Sequence, residues 1–274
     1  MARASFQRRV PALLALIVPT LAGVAYLAAF GAPMSYVAIN AGALLPGLAW
    51  IAFGRAPSTK TGNRIVMAVL LALFFAPLVT GPETVGVARW LPVGPFVLHS
   101  GALAFPALAV LAARQREDAA LVLSLAVLAA LFQPDAALGF AIVFAAAGLH
   151  DRTKDWSAGL VAIVGFLAAI AMALRGELPA QPFVERVLVD TAIAAPLVAL
   201  GLFAALGIGF WHMLARVPLE PHSRFALAGS LFGFSLMAIL SNYPSVLIGY
   251  GAAPILGYAL ALGLVPSAPQ QEPA

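Results

Sequence analysis

The sequence predicts an all-α protein that crosses a membrane many times. Apolar residues make up 62% of the 274 residues and charged residues 9%, whereas about 25% of the residues in a soluble domain are charged. The mean hydropathy is +0.99. The apolar stretches are apolar on every face, which excludes the alternation typical of a membrane β-barrel. Helix is then the state that satisfies the backbone within each segment.

Charged residues and segments rich in proline and glycine divide the chain into ten apolar runs, which predicts about ten transmembrane helices in one bundle. The fifth and sixth runs are separated only by Gln133-Pro134-Asp135, so a re-entrant pair or one kinked span is an alternative there. We expect residues 1–10 and 266–274 to be cytoplasmic and residues 11–265 to form the bundle. The runs are 11–30, 36–53, 65–78, 101–113, 119–132, 136–149, 158–174, 191–215, 225–240 and 246–265.

The basic residues predict the orientation of this bundle. With the N-terminus in the cytoplasm and ten alternating spans, 12 of the 15 Lys and Arg residues fall on the inner side and 3 on the outer side. The outer three are Arg89, Arg175 and Arg186. Because cytoplasmic loops of membrane proteins are enriched in Lys and Arg, this distribution indicates that both termini are inside. We expect a multi-pass protein of the bacterial inner membrane.

Several classes of function are excluded by what the sequence lacks. It has no cysteine, so disulfide and thiolate-metal chemistry are excluded. It has no phosphate-binding or dinucleotide-binding glycine motif and no zinc-ligand spacing, and its four histidines are scattered. We therefore expect no metal site and no cofactor, although a divalent cation stays open. The net charge of +4 serves membrane orientation, so we expect membrane lipids and not nucleic acid as partners.

Three outer segments carry the candidate functional residues. In residues 83–100, Arg89 could bind phosphate through its forked guanidinium, or could contact lipid headgroups as part of an interfacial anchor. Asp135 begins the sixth run, where the helix dipole favours an anion, and a turn and capping role explains it fully. Asp190 enters the eighth run beside apolar residues. It is either a general base with a raised pKa or the N-cap of that helix. Arg186, near Asp190, is a further candidate for substrate binding.

Four stretches, taken in order, resemble the SEDS family of shape, elongation, division and sporulation proteins, which are the RodA/FtsW-like membrane proteins. They lie on the expected sides of the membrane and cover most of the chain. The stretches are Arg89-Trp90 with Gly94-Pro95-Phe96; Gln133-Pro134-Asp135; Asp190 with Leu200-Gly201; and Pro244 with Ile248-Gly249-Tyr250-Gly251 and Ala261-Leu262-Gly263-Leu264.

The resemblance implies a ten-helix bundle and a glycosyltransferase that polymerises a lipid-linked disaccharide into peptidoglycan, for cell shape or cell division. It implies that Asp190 is the base that deprotonates the acceptor hydroxyl. Arg89, Asp135, Arg186 and Tyr250 are then candidates for binding a lipid-linked glycan precursor. A transpeptidase or another membrane protein of the elongation or division machinery is the expected protein partner.

Two other functions stay open at the level of sequence. The paired acids of the family's eighth helix correspond to Val198 and Ala199, and the acid and base after its conserved tryptophan are also lacking. A shortened, divergent and non-catalytic member that acts as a scaffold or regulator is therefore an alternative. A lipid or small-solute transporter is a second alternative, because glycine and proline interrupt several helices.

Overall fold

The computed structural model describes residues 2–266, and the side chains of residues 6–266. Within these residues the protein is a bundle of helices with one β-hairpin at one end, formed by β1 (Trp90–Val93) and β2 (Phe96–His99). The helices are α1 (Ala2–Ala29), α2 (Met34–Phe53), α3 (Lys60–Phe75), α4 (Pro77–Thr80), α5 (Ser100–Arg114), α6 (Arg116–Phe132), α7 (Ala136–Thr153), α8 (Trp156–Ala173), α9 (Val187–Ala194), α10 (Pro196–Trp211), α11 (Pro221–Leu240) and α12 (Ala252–Leu262).

Each of the ten predicted apolar runs contains helix, but two runs differ from the prediction. Run 191–215 is divided into α9, α10 and a π-helical turn at His212–Arg216. The break follows from Pro196, whose ring disfavours helical backbone at Ala195, where φ is −152° and ψ is 77°. The last run begins helix only at Ala252, because residues 241–251 form a loop that bonds to another segment. The fifth and sixth runs are two separate helices, α6 and α7.

The described residues contain six helices that are long and apolar enough to cross a membrane: Phe6–Ala29, Met34–Phe53, Lys60–Thr80, Trp156–Ala173, Pro196–Arg216 and Pro221–Leu240. Helix α8 exposes 60% of Leu160, 61% of Ile163 and 63% of Leu167. Such a face is stable in hydrocarbon and not in water. The chain is a multi-pass helical membrane protein.

Helices α7 and α11 pack closely because α11 carries glycine where the two backbones meet. A Cβ atom at Gly233 would overlap the carbonyl oxygen of Phe140, and one at Gly229 would overlap that of Phe144. Small residues are common where membrane helices approach closely, because attraction between them depends on van der Waals contact. Glycine therefore determines the spacing of this pair.

The segments predicted to lie on the cytoplasmic side meet at one end of the bundle. Arg9 donates to the carbonyl oxygens of Ile51 at 2.5 Å and Gly54 at 3.0 Å. Arg64 pairs with Asp118 at 2.7 Å, so the two charges neutralise each other. The contacts of Arg9 satisfy carbonyl oxygens at the end of a helix, and the pair of Arg64 with Asp118 neutralises charge. These polar residues therefore have structural roles.

Candidate functional site

A cavity of about 720 Å³ lies among the segments predicted to be on the outer side. It is bounded by the β-hairpin, the loop before α9 and the loop between α11 and α12. Its wall is partly apolar, with Ile39, Leu98 and Pro254 among the lining residues. The polar residues that line it are Thr84, Arg89, His99, Gln181, Glu185, Asn242 and Tyr250. Polar and apolar surface thus share one cavity, as in many sites for small ligands.

The β-hairpin brings two of these polar residues together. Trp90 pairs with His99, and Val93 pairs with Phe96 across the turn. Gly94 has a φ of +58°, a conformation that glycine adopts without strain at the first central position of a two-residue hairpin turn. Sequence analysis did not predict this hairpin, although two short apolar segments around Gly94-Pro95 were a usable signal. Arg89 and His99 consequently flank the base of the hairpin.

Arg89 forms a buried ion pair with Asp135. Its Nη1 atom lies 3.7 Å from Asp135 Oδ1, and the two side chains are 3% and 0% exposed. Arg89 Nη2 donates to the carbonyl oxygen of Gly176 at 2.5 Å. The guanidinium also lies 5.0 Å from the ring centre of Tyr243 and 5.2 Å from that of Trp90. The charge of Arg89 is therefore balanced inside the protein by one carboxylate.

Asp135 has a second role, because it is the N-cap of α7. Its Oδ1 atom accepts a hydrogen bond from the backbone N–H of Leu138 at 3.1 Å, which confirms the predicted capping role. The hydroxyl oxygen of Tyr243 accepts from the N–H of Ala136 at 3.2 Å. Gln133, in the same turn, donates to the carbonyl oxygen of Phe74. The turn between α6 and α7 is thus fixed by side chains on three sides.

His99 is the N-cap of α5 and lines the cavity. Its Nδ1 atom accepts from the backbone N–H of Ala102 at 3.1 Å, so a neutral ring carries its proton on Nε2. Nε2 lies 3.3 Å from Asp135 Oδ2. Burial lowers the pKa of His99, although the charge of Asp135 opposes this effect. We therefore treat His99 as neutral at pH 7.

Three buried polar atoms around this cluster have no hydrogen-bond partner among the described residues. They are Arg89 Nε, His99 Nε2 and Asp135 Oδ2. A buried polar atom without a partner is costly, and most such atoms in proteins bond to protein or to water. Here His99 Nε2 and Asp135 Oδ2 lie 3.3 Å from each other, so they interact electrostatically inside the protein.

Among the described residues that line the cavity, Glu185 is the acidic one. Its Oε2 atom accepts from the backbone N–H of Gln181 at 2.7 Å. Burial raises the pKa of Glu185, and this hydrogen bond and the charge of Arg89 oppose the rise. Sequence analysis did not select Glu185 as a candidate. The backbone of Glu185 pairs with that of Pro244, which lies 59 positions later. No local sequence pattern reveals such a long-range contact.

Asp190 lies outside the lining of this cavity. Its side chain is 61% exposed, and its Oδ1 atom is 3.9 Å from Nε of Arg186. The alternative that Asp190 is an N-cap is wrong, because α9 begins at Val187 and Arg186 holds the N-cap position. The helix begins early because Ser245 Oγ accepts from the N–H of Val187 at 3.0 Å. The role of Asp190 as a base stays a prediction, as does substrate binding by Arg186.

Tyr250, a substrate-binding candidate from the sequence, lies in the cavity wall. Its ring stacks on Tyr36 with 3.7 Å between ring centres, and its N–H donates to the carbonyl of Phe183 at 2.7 Å. Asn40 of α2 holds the same loop, because its amide donates to Gly249 O at 2.9 Å and accepts from the N–H of Gly251 at 3.0 Å. The loop between α11 and α12 is therefore fixed on both sides.

Of the candidates from sequence, Arg89 and Tyr250 line the cavity, and Asp135 is the fully buried ion-pair partner of Arg89. Arg186 and Asp190 lie beside each other outside the lining. Among the described residues, no group of three or more His, Asp or Glu could hold a metal ion.

Comparison with known proteins shows a clear likeness in structure. No family model matches the chain, and no curated protein matches it. The crystal structure of the rod shape determining protein RodA from Thermus thermophilus is similar with a TM-score of 0.63 and 18% identity, over 93% of each chain. An aspartate-to-alanine mutant of that RodA gives a TM-score of 0.65 at 18% identity, over 93% of this chain and 94% of that one.

A third similar structure comes from work on a peptidoglycan synthase complex that coordinates polymerization and crosslinking. It gives a TM-score of 0.60 and 17% identity, and the match covers 92% of this chain and 94% of that one. These matches extend over nearly the whole of both chains, so the likeness is one of complete architecture. The resemblance seen in four short stretches of sequence thus extends to the fold, and this chain has a RodA-like, SEDS-type fold.

Proposed function

We propose that this protein is a SEDS-like glycosyltransferase of peptidoglycan assembly in the bacterial inner membrane. Its substrate is a disaccharide linked through a diphosphate to a membrane lipid. The observation that carries the proposal is a cavity with a raised-pKa carboxylate, Glu185, in a protein with a RodA-like fold. A carboxylate with a raised pKa suits general base catalysis near neutral pH.

The character of the cavity supports a substrate that is part lipid and part sugar. Its floor is polar, with Arg89 and His99, while Ile39 and Pro254 contribute apolar wall. A membrane-tethered sugar needs both kinds of surface, because its lipid stays in the bilayer while its hydroxyl groups need hydrogen bonds. The acidic residue lies in the loop before α9, which we place on the outer side.

In the proposed reaction, a carboxylate oxygen of Glu185 takes the proton from the acceptor hydroxyl as the hydroxyl oxygen attacks the anomeric carbon of the donor. The new glycosidic C–O bond forms while the bond from the anomeric carbon to the diphosphate oxygen breaks. The lipid diphosphate leaves with the electron pair of that bond. Atoms and charge balance without an oxidant or a reductant.

The proposal is tested with purified protein and lipid-linked disaccharide. We expect Glu185→Gln to lower the rate of polymer formation by about 10²–10⁴-fold, the usual contribution of a general base. Glu83→Gln is the matched control, because Glu83 is an exposed outer carboxylate that does not line the cavity. Unchanged polymer formation by Glu185→Gln would remove Glu185 from the mechanism.

Asp190→Asn decides between the two carboxylates. If that variant makes no polymer while Glu185→Gln remains active, the base is Asp190, as the resemblance to the SEDS family implies. If the wild-type protein makes no polymer, the non-catalytic scaffold is the better description.

A transpeptidase is the protein partner we propose, because a structure similar to this one comes from a complex that couples polymerization with crosslinking. Copurification of a transpeptidase with the tagged protein tests that proposal.

A further inference from the structure

The tip of the β-hairpin, residues 92–97, is exposed and apolar throughout. Its sequence is Pro-Val-Gly-Pro-Phe-Val, and each of these residues is exposed. Val93 is 51% exposed, Phe96 47% and Val97 57%. Residues 90–113 contain no Asp, Glu, Lys or Arg, so the chain on both sides of the hairpin tip is also free of these charges.

Both faces of the hairpin tip are apolar. Residues that pair directly across antiparallel strands share a face, so Pro92 lies with Val97 on one face and Val93 lies with Phe96 on the other. An antiparallel sheet in water packs one face on the core and presents a polar face to the solvent. Neither face of this hairpin tip has a polar side chain, although both are exposed. Such a surface is typical of contact with lipid or with another apolar surface.

The hairpin tip borders the cavity on one side only. Pro95, Phe96 and Val97 belong to the cavity lining, whereas Pro92 and Val93 are exposed and lie outside the described lining. The exposed surface of Val93 therefore faces the surroundings of the protein and not the cavity.

The length of α5 indicates how deep the hairpin lies. The 15 residues of α5 rise about 22 Å, whereas the hydrocarbon core is about 30 Å thick. The inner end of α5 is Arg114, and charged residues follow it at once. Ser100, at the outer end, therefore lies about 8 Å below the outer edge of the hydrocarbon, or deeper if α5 is tilted. Strands of four residues span about 13 Å, so even a hairpin that points straight outward ends in the headgroup region.

Two further features fit a position at this depth. Pro92 and Pro95 have no backbone N–H, so the hairpin tip presents fewer unpaired donors to lipid than other residues would. Arg89, next to the start of the hairpin, is paired with Asp135 at 3.7 Å. Charged side chains within the depth of a membrane are usually paired in this way.

We propose that the hairpin tip inserts into the outer leaflet and contacts the hydrocarbon chains of its lipids, so that the hairpin is a wall between the bilayer and the cavity. The depth of Ser100 favours lipid as the occupant, because a protein domain outside the membrane does not reach a surface at this level. The inference does not depend on the proposed catalysis, since it concerns where the hairpin lies and not what the cavity binds.

The inference is tested by electron paramagnetic resonance on the full chain in nanodiscs. The chain has no cysteine, so Val93→Cys carries a single nitroxide label. Oxygen concentrates in hydrocarbon and a neutral nickel chelate concentrates in water, and power saturation measures the collisions of the label with each. We expect the ratio of oxygen to nickel collisions to be several-fold higher for Val93→Cys than for Glu83→Cys.

Glu83→Cys is the control for water, because Glu83 is an exposed acid in the segment before the hairpin. Leu167→Cys is the reference for lipid, because Leu167 is 63% exposed on the apolar face of α8. All three positions are exposed, so the label does not disturb packing.

Each outcome decides for or against the inference. A collision ratio for Val93→Cys above that of Glu83→Cys, up to that of Leu167→Cys, would support it, whether or not the protein makes polymer. A ratio no higher than that of Glu83→Cys would place the hairpin tip in water and overturn the inference. Few collisions with either reagent would also overturn it, because a second copy of the protein would then cover the hairpin tip.

Discussion

At the scale of single residues, the cavity depends on how charge is divided between two acids. Asp135 is fully buried, caps α7 and balances Arg89, so its charge serves the structure. Glu185 is partly buried and lines the cavity, with a pKa that burial raises. The two carboxylates thus lie in different environments, and in the reaction we propose Glu185 is the one that exchanges a proton with the substrate.

The raised pKa of Glu185 predicts the pH dependence of polymer formation. A general base works only when deprotonated, so we expect the rate to rise with pH through a limb that lies above the ordinary range of a glutamate, which is near about 4.3. The measurement is the rate of polymer formation against pH for wild type and Glu185→Gln. We expect the limb to disappear in the variant. A wild-type limb at the ordinary pKa would contradict the assignment.

The same shift predicts the effect of Glu185 on stability. A raised pKa means that the folded protein binds this proton more tightly than the unfolded chain does. The resulting stabilisation is present below the unfolded pKa and is lost as pH rises through the folded pKa. At pH 8 we therefore expect Glu185→Gln to unfold at a temperature equal to or above that of wild type, measured by circular dichroism. A lower unfolding temperature would indicate that the charged form is stabilised.

The roles of some of these residues could be predicted from the sequence. The cap at Asp135 follows from its place before an apolar run, and the structure confirms it. The pairing of Arg89 with Asp135 joins residues 46 positions apart, and no local pattern contains that information. His99 was not predicted to be a functional residue, because a single histidine does not form a recognisable sequence motif. Its role as a cap depends on a hairpin that only the packed structure reveals.

At the scale of elements, the contact of α7 with α11 depends on glycine. Gly229 and Gly233 are one turn apart on α11, and each lies against a carbonyl oxygen of α7. A side chain at either position would force the helices apart. By contrast, a Cβ at Gly201 of α10 would meet no atom within 4 Å. The chain thus offers a glycine that the packing requires and one that it does not.

We expect Gly233→Ala to destabilise the protein by about 1–3 kcal/mol, the usual cost of overpacking. Gly201→Ala is the control, and we expect it to be neutral or to stabilise by up to about 1 kcal/mol, because alanine favours helix. Thermal unfolding followed by circular dichroism measures both. Equal effects of the two substitutions would show that the close approach of α7 and α11 does not limit stability.

The positions of the helices could be predicted from sequence better than their ends. Apolar runs reveal helices because lipid-exposed backbone must bond to itself. Residues 246–251 of the loop 241–251 were included in the last apolar run because this loop is buried against protein. The loop bonds to residues 183 and 184 through the N–H groups of Tyr250 and Ser245. Burial in protein and burial in lipid give the same composition, so composition could not separate them.

At the scale of the whole molecule, the structure groups the loops as the charge distribution predicts. Segments assigned to the outer side converge on the cavity, whose lining residues Arg89, Glu185 and Tyr250 come from three different parts of the chain. Asp135, from a fourth segment, pairs with Arg89. Segments assigned to the inner side meet where Arg9 bonds to Gly54 and Arg64 bonds to Asp118. The grouping supports an alternating path of the chain through the bilayer, and charge then indicates which end is cytoplasmic.

The absence of cysteine allows a direct test of this orientation. We expect a cysteine at Glu83 to react with a membrane-impermeant maleimide on intact spheroplasts. A cysteine at Lys154, which is 75% exposed, should react only after permeabilisation. The wild-type chain is the control, because it has no thiol to label. Labelling of both positions from the same side would contradict the predicted orientation.

Asn40 illustrates how much of this architecture can depend on one amide. Its side-chain amide donates a hydrogen bond to Gly249 O and accepts one from the N–H of Gly251, so α2 holds the loop that completes the cavity. Aspartate lacks the donor, leucine has the shape but neither polar atom, and glutamine is longer by one methylene group. We therefore expect each of these three substitutions to weaken or remove at least one of the two hydrogen bonds that hold the loop carrying Tyr250.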